Sequence, residues 1–141
     1  MVRTGSAVWN GGIMDGNGTV STETKTLDNA PYSFTSRFES GQGTNPEELL
    51  GAAHAGCFSM ALSGVLGGME LKADKIETTA EVTVEKVEGG FGITKIHLTT
   101  NATIPGATDE QFQTAAANAK AGCPVSKLFT GAEITLTATL N

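Results

Sequence analysis

Between Thr44 and Leu66 the chain reads TNPEELLGAAHAGCFSMALSGVL, and past its two glutamates every position is apolar, small or weakly polar. A run of that length with no charged stripe predicts a long helix buried nearly all round. Its start is marked by Asn45 as N-cap, Pro46 at the first helical position and Glu48 at the third, where a carboxylate can reach back to the cap. Gly67-Gly68 marks its end. Elsewhere the pattern alternates with period two. Thr4 to Trp9 and Thr19 to Thr24 read as short strands around the loop NGGIMDGNG. From Tyr32 to Glu39, Tyr32, Phe34, Ser36 and Phe38 fall on one face and Ser33, Thr35, Arg37 and Glu39 on the other, so a third strand is predicted with Arg37 on its polar side. Ile76 to Val87 and Phe91 to Thr103 form a predicted long antiparallel hairpin turning at Glu88-Gly89-Gly90. A second helix is predicted over Gln111 to Ala121 behind a Thr108 cap, and a last strand over Glu133 to Leu140. Three strands, long helix, two strands, helix and strand make an α+β order with antiparallel sheet packed on helix, in a single domain over residues 1–141.

Composition narrows this picture. At 141 residues the chain can bury a core, but a helix apolar on all sides needs a partner chain to cover it, and six Phe, one Trp and one Tyr are a modest aromatic supply. The net charge is -6 and the nine basic residues are scattered, which excludes the electrostatic footprint of a nucleic-acid binder. The first residues, MVRTGSAVWN, lack the apolar run of a signal peptide, and no stretch reads as an uninterrupted apolar span of membrane length. A cytoplasmic protein without a membrane partner is therefore expected. In a reducing compartment, two cysteines point to catalysis or redox chemistry rather than to a permanent crosslink.

Cys57 lies in the middle of the long helix, where a free cysteine often only fills space. Two features favour chemistry. Gly51, Ala52, Ala53, Ala55 and Gly56 clear room for another backbone, and Cys123 precedes Pro124, which places it at a helix cap where backbone amides stabilise a thiolate. Metal binding finds no support, because two Cys and two His at positions 54, 57, 97 and 123 lack ligand spacing. The segment Ser40 to Thr44 is glycine-rich but has no phosphate-loop lysine, so no cofactor is expected. His54 stands three residues before Cys57, yet a hydrolase built on that helix face leaves the oxyanion without donors, and His54 reads as a packed or interface histidine. Thiol redox chemistry needs a stabilised thiolate, a cation beside it and a second thiol. Cys57, Arg37 and Cys123 can fill those parts, although Arg37 taken alone reads as a solvated strand residue. Glu47 could orient Arg37. It precedes Cys57 by ten positions, roughly 15 Å along one helix. Glu47 is thus either a helix-start carboxylate or part of a site built across a dimer.

The segments TNPEELLGAAHAGCFSMAL, AGCPVSKLF, YSFTSRFE and FGITKIHL together resemble the osmotically inducible protein C (OsmC) branch of the OsmC/Ohr peroxiredoxin family, over essentially the whole chain. The resemblance implies an intertwined homodimer whose long central helices are wrapped by antiparallel sheets, with two sites at the subunit interface. It implies a thiol-dependent peroxidase of oxidative and osmotic stress defence that reduces organic hydroperoxides, and hydrogen peroxide more weakly. Position by position, Cys57 resembles the peroxidatic cysteine and Cys123 the resolving one, joined as an intrachain disulfide after attack, with Arg37 and Glu47 organising the attacking thiolate. A dithiol reductant, such as a lipoylated protein, is the implied partner. The rival from another class is a dimeric module holding an apolar ligand, its cysteines buried and inert.

Overall fold

The computed structural model describes residues 1–141, and their contacts cluster into two compact units, Met1–Leu49 and Leu50–Asn141. The N-terminal unit is built on an antiparallel meander of β1 (Gly5–Asn10), β2 (Asn17–Thr22) and β3 (Ala30–Tyr32). Gly18 is required in β2: a Cβ there would meet the Val8 carbonyl oxygen, the Tyr32 ring and the Trp9 ring within 3 Å. The bare backbone lets Trp9 and Tyr32 pack together with centroids 5.3 Å apart.

The third strand is shorter than expected. After Tyr32 the chain turns into a short helix, α1 (Phe34–Phe38), so Arg37 is a helical residue and not a strand residue. The cause is local. Ser33 and Ser36 form a reciprocal capping box, in which the Ser33 hydroxyl accepts from the Ser36 amide at 3.2 Å and the Ser36 hydroxyl accepts from the Ser33 amide at 2.8 Å. Phe34 and Phe38, four residues apart, meet on one helical face with tilted rings whose centroids are 5.0 Å apart. Residues spaced by four share a face in both a strand and a helix, so alternation alone could not choose between them.

The long helix α2 (Pro46–Gly68) starts where expected, with Asn45 Oδ1 accepting from the Glu48 amide at 2.8 Å. The Glu48 carboxylate takes a hydrogen bond from the Thr44 hydroxyl, at 2.6 Å. Within the C-terminal unit, Phe58, Leu62 and Leu66 of α2 are fully buried. Each contributes about 1.5–3 kcal/mol of burial. They pack with Leu98 and Ala102 and with Phe112, Ala115, Ala116 and Ala119 of α3 (Asp109–Gly122). Gly51 lets this helix approach the sheet closely, since a Cβ there would lie 3.1 Å from the Ala80 carbonyl oxygen. The helix is not buried all round within one chain: Ala52, Ala53, Gly56, Met60, Ser63, Gly64 and Gly67 are exposed. By length and mean composition alone α2 is also long and apolar enough to cross a membrane, a test that the core helix of a soluble protein passes as well. The serines and glycines that break its apolar run on paper do not shorten the helix.

The sheet of this unit has the order β4 (Lys75–Val87), β5 (Gly90–Thr103), β6 (Glu133–Leu140). β4 and β5 form the expected antiparallel hairpin, with Gly89 and Gly90 at positive φ in the turn. β6 pairs with β5 in parallel, Lys95 opposite Glu133 through Ala102 opposite Leu140, so the sheet is mixed rather than wholly antiparallel. A parallel pair requires a crossover. α3 and a short helix α4 (Pro124–Leu128) provide it and carry Cys123 between them.

Candidate active site

Cys123 is at once the C-cap of α3 and the N-cap of α4. Its amide donates to the Ala119 carbonyl at 2.9 Å, closing α3, and Pro124 at the next position starts α4 with no amide left to satisfy. The expectation of a capping cysteine holds. The side chain is fully buried, and its Sγ lies 2.7 Å from the Sγ of Cys57, which is half-buried on α2. Both are free thiols. Two thiols 66 positions apart in sequence are thus in direct contact, and bonding at about 2.05 Å needs only a small further approach.

The two thiols differ in acidity. Burial pushes the Cys123 thiol up, but hydrogen bonds from the Cys57 thiol, from the Ser126 amide and hydroxyl and from the Val125 amide outweigh it, leaving Cys123 below the ordinary cysteine value. Burial pushes Cys57 up, the neighbouring Cys123 adds to the rise, and a hydrogen bond from the Val125 amide opposes both, leaving it above that value. The expectation of a helix-cap thiolate at Cys123 agrees with this order. Nothing in the C-terminal unit makes Cys57 the more acidic of the pair.

His54, one turn before Cys57, is fully buried. Its Nε2 lies 2.7 Å from the Ser126 hydroxyl on α4, and Phe129 meets its ring edge-on at 5.5 Å. Desolvation lowers its pKa below the ordinary histidine value, which keeps the imidazole neutral. The packed histidine expected from the sequence is present. Its partner Ser126 carried no assigned role there, because the two stand 72 positions apart and only the docking of α4 on α2 joins them.

The other two predicted residues belong to the N-terminal unit. Arg37 Nη2 and Nε both reach Glu47 Oε1, at 2.8 and 2.9 Å. The pairing expected between them is present. α1 is tied to the start of α2 by the Ser36 hydroxyl, which donates to the Thr44 carbonyl at 2.9 Å, and by Asn45 Nδ2, which donates to the Ser36 carbonyl at 3.2 Å. Those bonds hold Arg37 above Glu47. The guanidinium also sits 5.0 Å over the Phe38 ring and borders a mostly apolar cleft of about 250 Å3 lined by Trp9, Ile13, Tyr32, Ser33, Phe34 and Phe38. No group of three or more His, Cys, Asp or Glu side chains is placed to hold a metal ion.

Comparison with known proteins gives a consistent result. The family model described as "OsmC-like protein" matches residues 39–139. The chain is 52% identical over 134 residues to the peroxiredoxin OsmC of Escherichia coli (strain K12), covering 95% of this chain and 93% of that protein. It is 33% identical over 99 residues to an organic hydroperoxide resistance protein of Xanthomonas axonopodis pv. citri, covering 69% of this chain and 68% of that one. Among solved structures, an organic hydroperoxide resistance protein from Elizabethkingia anophelis superposes with a TM-score of 0.75 at 31% identity, covering 100% of this chain and 99% of the other.

Proposed function

The chain belongs to the OsmC-like protein family, and from that premise we infer that it is a cysteine-dependent peroxidase that reduces organic hydroperoxides. One observation carries the reading: two free thiols, one half-buried and one fully buried, in contact at 2.7 Å. Packing alone does not require that contact, and an inert apolar-ligand module has no use for it. The Cys57 thiolate attacks the outer peroxide oxygen. An S–O bond forms, the O–O bond breaks, the sulfur is oxidised by two electrons and the departing alkoxide takes a proton to become an alcohol. Cys123 then attacks the Cys57 sulfenic acid, giving the intrachain disulfide and water. A dithiol reductant, in the cell a lipoylated protein, restores both thiols as its own pair becomes a disulfide.

In this reading Arg37, oriented by Glu47, supplies the positive charge that Cys57 needs to ionise. The apolar cleft bordered by Arg37 fits an organic rather than an inorganic peroxide. The whole chain acts as one OsmC-like domain in the cytoplasm and works as a homodimer. Support for the dimer comes from the exposed face of Ala52, Ala53, Gly56, Met60 and Gly64 on α2, from β1, which is exposed along its whole length, and from the ten positions between Glu47 and Cys57. Consumption of cumene hydroperoxide with a dithiol reductant tests the reading. Wild type turns over and Cys57→Ser does not; equal consumption by the two proteins removes Cys57 as the nucleophile.

A further inference from the structure

Resting on the assignment of Cys123 as the resolving thiol, the geometry points to His54 and Ser126 as positioning residues for disulfide formation: His54 Nε2–H donates to the Ser126 hydroxyl, whose own proton is thereby directed to the Cys123 sulfur. The proton arrangement follows from burial. His54 is fully buried, its Nε2 is 2.7 Å from Ser126 Oγ, and its Nδ1 is buried with no hydrogen-bond partner in the chain. A neutral imidazole carries one N–H. An orphaned buried N–H is rarer than an under-satisfied acceptor, so the proton sits on Nε2 and Nδ1 keeps its lone pair. A hydroxyl that accepts from Nε2 cannot spend its proton on His54. It is available to Cys123, the N-cap of the helix on which Ser126 is the third residue, where the hydroxyl and the amides of Ser126 and Val125 favour the thiolate.

The consequence lies in the second half of the cycle. Cys123 attacks as thiolate, an S–S bond forms, the S–O bond of the sulfenic acid breaks, and the departing hydroxide takes a proton from solvent to leave as water. During reduction the same stabilisation makes Cys123 the better leaving group. Cys123 is fully buried while Cys57 is half-buried, so the external dithiol attacks Cys57 and releases Cys123. His54 and Ser126 thus act on resolution and reduction through Cys123, and reach Cys57 only through its contact with that thiol.

Stopped-flow oxidation resolves sulfenic acid formation from disulfide formation. In Ser126→Ala the disulfide closes from the formed sulfenic acid about tenfold more slowly than in wild type, the loss expected for one hydrogen bond to a charged group. Ser126→Thr, which keeps the hydroxyl, restores the rate; His54→Gln, which keeps a side-chain N–H donor, retains more of it than His54→Leu. Nitrogen-15 chemical shifts of His54 in the unmutated reduced protein report an Nε2–H tautomer, a result no folding defect can mimic. An Nδ1–H tautomer, or a wild-type rate of disulfide formation in Ser126→Ala, overturns the proposal. Absence of any Cys57–Cys123 disulfide in peroxide-treated wild type overturns the resolving role of Cys123 itself, and is read separately by mass spectrometry of the oxidised protein.

Discussion

Arg37 grips one oxygen of Glu47 twice, through Nη2 at 2.8 Å and Nε at 2.9 Å, and leaves the other oxygen, buried, with no hydrogen-bond partner in the chain. The Glu47 side chain is 8% exposed and that of Arg37 40%, so the carboxylate depends on the guanidinium more than the reverse. Arg37→Ala is expected to cost about 1–3 kcal/mol, because it strips a desolvated carboxylate of its charged donors. Glu47→Gln costs less, since a neutral amide needs no counter-charge and Arg37 can turn to solvent. Urea midpoints at neutral pH measure both, and equal losses would show that solvent already screens the pair.

Removal of the second thiol separates the two half-reactions. Cys123→Ser consumes one equivalent of hydroperoxide per chain and stops at a sulfenic acid on Cys57, which a dimedone-type reagent traps. Continued turnover by Cys123→Ser at the wild-type rate with a dithiol would mean that the reductant, and not Cys123, resolves the intermediate.

The buried His54 makes the protein sensitive to acid. Its folded pKa is lowered by desolvation, so below the unfolded histidine value of about 6.5 the unfolded chain binds the proton first. The stability that neutral His54 contributes is full above that pH and is lost as the pH falls toward and through the folded value. In His54→Gln the melting temperature therefore falls less steeply between about pH 7 and pH 5 than in wild type. Parallel curves for the two proteins would show that His54 is not the group responsible.

The open face of α2 gives a test of assembly by a single methyl. In the isolated chain a Cβ at Gly64 would meet nothing within 4 Å, so Gly64→Ala in a monomer should stabilise the helix by about 0.5–1 kcal/mol. In a homodimer packed through that face the methyl is crowded, and the substitution lowers both stability and dimer affinity. Sedimentation and thermal melts of Gly64→Ala decide between these, and a stabilised, monomeric, active protein rejects the dimer.

Catalytic complementation tests whether the site is shared. A mixture refolded from Cys57→Ser and Glu47→Ala chains, each inactive alone, should regain peroxidase activity through heterodimers holding one intact site. Heterodimers that form and stay inactive place Glu47 and Cys57 of a single chain in the same site.

Elements whose signals are local could be read before any fold was known. The Asn45 and Thr108 caps, the apolar run of α2, the Glu88-Gly89-Gly90 turn and the alternation of β4 and β5 each depend on residues within one or two turns of each other. The capping position of Cys123 belongs with them, because Pro124 announces it one residue later. Arg37 marks where local reading becomes ambiguous: the Phe34 and Phe38 spacing suits strand and helix alike, and the serine capping box chose the helix. What tertiary structure alone decided is whatever joins distant positions. The parallel pairing of β6 on β5 follows from the path of the α3 and α4 crossover, and the 2.7 Å contacts of Cys57 with Cys123 and of His54 with Ser126 follow from α4 packing on α2. The acidity order of the two thiols was beyond the sequence for the same reason. It is set by which donors surround each sulfur in a desolvated site, and those donors come from elements that pattern and spacing along the chain do not bring together.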